Sequence, residues 1–228
     1  MKKIEKVVLH IPAREGSKRV PRKNMRLMCG EPMISYSIKA ALDSKITKEV
    51  YVNTDSDEIV SYVEKYHKNC KIYHRDTKLA SDDSSSDEFN FDIINKLNPD
   101  ILVMINPVCP LIEHEDINQA FNQFKVSKCD TLISCSSTKM QTFCESKPVN
   151  IKIEEKLAPS QNNEEVSILN WAITIWDVNK FKQRMNNKGY AVLGDNLLFF
   201  NIGFFKGIKV SEEEDFLLAE KFIKIKKL

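Results

Sequence analysis

The chain has 228 residues, with 34 Lys+Arg against 32 Asp+Glu, a net charge of +2, 42% hydrophobic and 29% charged residues. That balance suits one globular domain over residues 1–228, long enough to bury a full core. It lacks the strongly basic footprint of a duplex nucleic-acid binder, and no apolar run approaches the roughly 18 residues of a transmembrane helix. Neither a nucleic acid nor a membrane is expected as a partner.

The N-terminus, MKKIEKVVLHIPA, starts basic, but its apolar run is short and interrupted by His10. A buried first strand over Lys6 to Ile11 fits it better than an export signal. The six cysteines show no CxxC pair and no metal-type spacing with the four histidines. They read as reduced thiols, and a cytoplasmic location is expected.

After Pro12 comes a loop of small and basic residues, Ala13 to Asn24. Apolar residues at three- and four-residue spacing then predict a helix over Met33 to Leu42. Glu49 to Thr54 is a strand and Ser56 to Tyr66 a helix, with Asp57 and Glu58 favouring its first turn. A short strand over Lys71 to His74 leads into the polar segment Leu79 to Ser86 and a helix over Glu88 to Leu97. Ile101 to Asn106 is the most buried-looking strand, followed by a helix over Asp116 to Phe124 and a strand over Thr131 to Cys135. Strands alternating with helices predict an α/β fold, a mostly parallel sheet with helices on both faces. The pattern lapses over 138–169, which contains Pro148 and Pro159, and an appendage serving as a β-arm or subunit contact is expected there. Regular structure resumes with a strand over Ile168 to Trp176, a helix over Val178 to Met185, the stretches Leu197 to Phe200 and Phe204 to Val210, and an amphipathic helix over Glu212 to Ile225.

In parallel sheets ligands gather outside the carboxyl ends of strands, near a topological switch point. The loop after the first strand therefore matters most. It carries Arg14, Lys18, Arg19, Arg22 and Lys23, with Gly16 and Ser17 allowing backbone amides to turn inward. Such a loop suits a polyphosphate, whose oxygens take both amides and cations; the plainer reading is a solvated basic surface. It is neither a Walker loop nor a GxGxxG fingerprint.

Ile11 to Asn24, IPAREGSKRVPRKN, closely resembles the signature loop of the acylneuraminate (CMP-sialic acid, nonulosonate) cytidylyltransferases. Further segments are similar in the same order. Tyr51 to Ile59 resembles V-S-T-D-x-x-x-I; Arg75 with Leu79 to Asp82 and Ser84 to Ser86 resembles R-x-x-x-L-A-x-D. Asn106 to Leu111 stands in place of Q-P-T-S-P-L, Asn170 to Ile173 in place of N-G-A-I, and Glu213 to Phe216 matches E-E-D-F. The resemblance implies a Rossmann-like sheet with a small dimerisation element and a homodimer. It implies transfer of CMP from CTP to the hydroxyl of a small acidic sugar, a nonulosonic acid, with release of pyrophosphate, and a Mg2+ or Mn2+ cofactor. By motif, Arg14 and Lys23 take the catalytic positions on the triphosphate. Ala13, Ser17, Lys18, Asn24, Arg75, Ser84 and Asn106 join them in nucleotide binding, and Asn106, Gln161 and Asn170 face the sugar.

Several positions depart from the family pattern. The I-D-I-D aspartates, which the resemblance makes metal ligands, are replaced in Ile208-Lys209-Val210-Ser211. A divalent ion favours anionic oxygens, so Lys209 opposes it; Asp55, Glu212 and Glu213 are the remaining candidates, the two glutamates doubling as helix N-terminal acids. Val108, Cys109 and Ile112 replace polar residues of Q-P-T-S-P-L-R, Ala158 to Asn162 lacks the expected arginine, and Trp171 stands in place of a glycine. These changes suit a new acceptor, a sugar acid or a non-sugar hydroxyl compound, or a nucleotide-binding homologue with weakened catalysis. Outside the motifs, His10 reads as a core imidazole, Cys109 as a packing residue, and Asp82 and Asp83 as caps for the helix that follows.

Overall fold

The computed structural model describes residues 6–17, 19–153 and 156–226. Seven strands form one sheet: β1 (Val7–Pro12), β2 (Val50–Thr54), β3 (Lys71–His74), β4 (Ile101–Ile105), β5 (Thr131–Thr138), β6 (Val166–Asp177) and β7 (Leu197–Asn201). Their spatial order is β7-β5-β6-β4-β1-β2-β3. All pairings are parallel except those of β6, which runs antiparallel to both β4 and β5. The predicted mostly parallel α/β sheet is therefore present, with one reversed strand in its second half.

The described residues form six α-helices: α1 (Ile34–Ser44), α2 (Asp57–Tyr66), α3 (Ser86–Leu97), α4 (His114–Val126) and α5 (Val178–Lys188), which pack on the sheet, and α6 (Glu213–Lys226). The two-residue period of a strand divides their burial. On β1, Leu9 and Ile11 join Val103 and Ile105 of β4 in a core with Ile34 and Ile38 of α1, Ile59 of α2 and Ile117 of α4. Val8, Leu102 and Met104 face the other way, onto Ile93 and Ile94 of α3 and Phe181 of α5. Both faces are apolar, which is why these strands read as continuous hydrophobic runs.

A third cluster bears directly on the functional end. Phe216, Ala219 and Ile223 of α6 pack with Ile208 and Val210, with Leu111 and Met33, and with Val20 from the middle of the basic loop. Val20 is wholly buried, so the loop is pinned at its centre although its charged residues stay outside.

Two expectations fail here. Phe204 to Val210 is not regular structure but a turn followed by irregular chain. Gly203 takes φ +77°, its carbonyl accepts from Ser136 Oγ at 3.0 Å and from the Gly207 amide at 3.2 Å, and a Cβ on Gly207 would lie 2.4 Å from Ser136 Oγ. The glycines fold the chain back onto β5 instead of extending it. Nor do Asp82 or Asp83 cap α3: Ser85 does, in a reciprocal capping box with Glu88.

The outer ends of β5 and β6 pair from Cys135↔Leu169 to Thr138↔Val166, forming a two-stranded arm. Among its described residues, the chain between them carries only a two-residue ladder, Phe143–Cys144 with Lys147–Pro148, and a single 3-10 turn at Ser160–Asn162.

Candidate active site

Chain direction around β1 creates the crevice. From β1 the chain moves outward to β2 and β3, then returns to β4 on the opposite side of β1, so the connections leaving β1 and β4 diverge. A cavity of about 420 Å³ opens there, lined by Pro12, Arg14, Gly16, Ser17, Arg19, Lys23 and Asn24 from the first loop, and by Asn106, Pro107 and Val108 after β4. This is the switch-point position at which open α/β sheets bind ligands.

The loop is built to stand over that cavity. Asn24 Nδ2 donates to the Arg14 carbonyl at 3.2 Å, closing the loop on itself, while Asn24 Oδ1 is buried with no hydrogen-bond partner among the described residues. Arg22 adopts φ +51°, turning the chain sharply before Lys23. Asp55 Oδ1 accepts from the Glu15 amide at 3.1 Å and fixes the loop's start. After β4, Asn106 Oδ1 accepts from the Val108 amide at 3.4 Å and the Asn106 amide donates to the Ala172 carbonyl at 2.9 Å.

The cations are less crowded than the sequence suggests, because acids from distant elements neutralise three of them. Arg14 donates to Asp82 Oδ1 at 2.7 Å and to the Ala80 carbonyl at 3.1 Å; Arg19 pairs with Glu212 at 3.1 Å; Arg22 pairs with Glu58. Lys23 pairs with no acid among the described residues: its Nζ donates to the Val210 carbonyl at 2.9 Å. Burial first, then the charges of Arg19 and Lys209, hold Lys23 below the usual lysine range, with Glu212 and Asp215 acting the other way. Lys18 lies outside the described residues.

The other sequence-predicted residues divide into those at the cavity and those beside it. Ala13 is buried directly after β1, its amide bonded to the Asn53 carbonyl at 2.9 Å. Arg75 is buried, bonded to Asn53 Oδ1 at 2.8 Å and to the Asn53 carbonyl at 3.0 Å, and stacked 4.6 Å over the Phe89 ring. Burial, together with Arg14, lowers its pKa to about 10. Ser84 sits half-buried in the turn before α3. Asn170 is buried in β6, its Oδ1 taking Ser134 Oγ at 2.6 Å and the Ala172 amide at 3.2 Å, its Nδ2 giving to Ser136 Oγ at 3.2 Å. Gln161 is exposed on the appendage, its carbonyl accepting from Lys139. None of these five lines the cavity.

Next to Asn170, the pairing register of β6 with β5 shifts between Leu169 and Thr174, and Trp171 takes φ +60°. That left-handed backbone explains why a glycine belongs at this position in the resembling pattern, and a bulky residue there is strained. Cys109 is fully buried and burial pushes its thiol up to about 12, so it is no nucleophile. His10 is buried against Phe89, and burial with the Arg75 charge lowers it to about 3, leaving it neutral.

A divalent ion does not fit the donor set. Of the three candidates, Asp55 holds the Glu15 amide, Glu212 pairs with Arg19, and Glu213 grips Arg26 through two bonds of 2.5 and 2.6 Å. Asp215 accepts from the Ser211 and Glu212 amides at 2.8 and 2.9 Å. Among the described residues no group of three His, Cys, Asp or Glu side chains is placed to hold a metal ion. Arg19, Pro107 and Val108 line the cavity although motif comparison had not selected them.

A cation-bearing loop over an open crevice at the switch point defines a nucleotide-binding α/β protein. The family model described as "Cytidylyltransferase" matches residues 8–225. CMP-N,N'-diacetyllegionaminic acid synthase of Legionella pneumophila is 28% identical over 231 residues, covering 96% of this chain and 97% of the relative. Pseudaminic acid cytidylyltransferase of Campylobacter jejuni is 37% identical over 119 residues, about half of each chain (50% and 51%). The solved structure of CMP:2-keto-3-deoxy-manno-octonic acid synthetase complexed with CTP superposes with a TM-score of 0.70 at 16% identity, covering 97% of this chain and all of that one, and thus shares its fold. The chain belongs to the cytidylyltransferase family and is a nucleotidyltransferase. Among its described residues, no helix is long and apolar enough to cross a membrane.

Proposed function

We propose that this enzyme transfers CMP from CTP to the anomeric hydroxyl of a nonulosonic, sialic-like acid. The acceptor oxygen forms a new bond to the α-phosphorus, the bond from that phosphorus to the bridging β-phosphate oxygen breaks, and pyrophosphate leaves with its electron pair. The hydroxyl proton passes to solvent. Such a displacement needs alignment and charge neutralisation more than covalent help.

The observation that carries this reading is the cavity between the β1 and β4 connections, with Arg14, Arg19 and Lys23 on its wall. On binding, Arg14 exchanges Asp82 for phosphate oxygens, and Lys23, held by the Val210 carbonyl, takes the departing pyrophosphate. Ser17, Asn24 and the amides around Gly16 supply further donors and the unfilled Asn24 acceptor. Arg75 and Ser84 act from the β3 side, Asn106 at the reacting groups, and Gln161 and Asn170 on the acceptor side. The full-length likeness to a legionaminic acid synthase supports an acidic nine-carbon acceptor.

The appendage exposes Met140, Phe143, Val149, Ile153 and Leu157, and the arm exposes Ile168. This apolar surface fits a second copy of the chain, and light scattering is expected to give twice the chain mass. The reduced thiols and a cytosolic nucleotide substrate favour a cytoplasmic enzyme.

A pyrophosphate-release assay tests the reaction. The four nucleoside triphosphates are crossed with a panel of nonulosonic acids; product is expected only when CTP and an acceptor are both present. CTP binding without pyrophosphate from any acceptor would instead support a nucleotide-binding relative, the reading favoured by the engagement of Asn170 within β6.

A further inference from the structure

The 208–211 stretch is tied to the phosphate loop and to the segment after β4 through Val210. The Val210 amide donates to the Val108 carbonyl at 2.8 Å, and Val108 itself lines the cavity. The Val210 carbonyl accepts from Lys23 Nζ. Lys209 does not itself line the cavity, but it adjoins Val210, which is bonded to two residues that do, and its backbone is held by a neighbour on either side: Ile208 is 8% exposed and Val210 is wholly buried. The Lys209 side chain is exposed, and among the described residues it makes no ion pair. Its charge is felt at two groups of the site, Lys23 and Cys109.

An uncompensated lysine beside a second lysine that has no acid is unfavourable unless something anionic comes between them. Three of the four acids at 212–215 are committed elsewhere: Glu212 to Arg19, Glu213 to Arg26, and Asp215 to the Ser211 and Glu212 amides. The same commitment ties up those three carboxylates, and no metal-type cluster forms among the described residues. One stretch thus lacks what a protein-held divalent ion needs and has what a bare phosphate needs.

We propose that Lys209 is a fixed counter-charge for the triphosphate, so that this enzyme binds CTP without a metal ion held by its own side chains. The inference rests on the nucleotide reading above and adds which charges meet the nucleotide. Lys209 and Lys23 reach the same phosphate tail from adjacent sides, a role in which a lysine acts as a point charge. A metal-free triphosphate is the more highly charged ligand and is the form such a site prefers.

Calorimetric titration of the full chain with CTP, in EDTA and in excess magnesium, tests this. Wild type is expected to bind in EDTA at least as tightly as in magnesium. Lys209→Ala should weaken binding in EDTA about tenfold, the scale of one charge-assisted hydrogen bond, while Lys209→Arg stays within about threefold. Lys209→Asp with Ser211→Asp should make binding depend on magnesium. Circular dichroism confirms that each variant is folded. Wild-type binding that collapses in EDTA, or a Lys209→Ala protein that binds like wild type, would overturn the proposal and leave the nucleotide reading standing. Failure of wild type to bind CTP in either buffer would overturn both.

Discussion

The 13–24 loop lines the cavity and the 208–211 stretch is bonded to that lining at Val108 and Lys23, yet the two treat positive charge in opposite ways. In the loop, Arg14, Arg19 and Arg22 each rest on a carboxylate supplied by a distant part of the chain. On the other stretch Lys209 rests on none among the described residues, and Lys23, which bridges the two, rests on the Val210 carbonyl. Arginines held by acids give a preformed and pinned loop, but they must give up those acids when a phosphate arrives. The lysines are open from the start. The site therefore combines cations that must change partners with cations that need not, and the two groups should answer differently to mutation, salt and pH.

The largest expected effect lies in the first group. Arg14→Ala should lower the rate of pyrophosphate release by about a hundredfold or more, as for loss of one donor at a transition state, measured at saturating CTP and acceptor. A fall of less than tenfold would show that the loop's arginines are structural and would leave the lysines as the working charges.

A third way of handling charge lies under the mouth, where His10 is kept neutral by burial. Its folded pKa is lowered to about 3 against 6.5 for the free side chain. Below pH 6.5 the unfolded chain takes up a proton that the folded one refuses, so stability falls as pH falls. From pH 7 to 5 the loss is about 2 kcal/mol, readable in urea unfolding, and it should vanish in His10→Leu. An unchanged pH dependence in that variant would place the acid sensitivity elsewhere.

The lysine pair sharpens the comparison further. Arg19 and Lys209 both depress Lys23. CTP binding that uses Lys23 as a cation is lost as pH rises through its pKa, so removing Lys209 should move this alkaline limb to higher pH, seen in CTP titrations carried into the alkaline range. A limb that does not move would separate the two lysines. The smallest effect is the most specific: Asp82→Asn frees Arg14 from a half-exposed pair and should tighten CTP binding by about threefold, in keeping with the modest strength of surface ion pairs.

Much of this architecture was legible in the sequence. Val7 to Pro12 and Ile101 to Ile105 have the continuous apolar character of strands buried on both faces, and the cationic run after the first of them marks the switch point before any coordinates are seen. What could not be read was long-range. Glu58, Asp82 and Glu212 lie 36 to 193 residues from the arginines they neutralise, so the loop reads as five unpaired cations when three are paired. The reversal of β6 leaves no local trace, because a central strand buried on both faces looks alike in either direction. The positive φ of Trp171 is concealed by an aromatic residue in a backbone shape that glycine prefers, although the glycine of the resembling pattern was the clue. Phe204 to Val210 has strand-like composition, but Gly203 and Gly207 fold it into a turn.

The central claim is that the mouth between β1 and β4 grips a triphosphate tail. Titrating the enzyme with CTP and with CMP at low and at high salt tests it most directly. CTP should bind about a hundredfold more tightly than CMP at low salt, with the gap narrowing as salt screens the charges. Equal affinity for the two nucleotides, unchanged by salt, would contradict it.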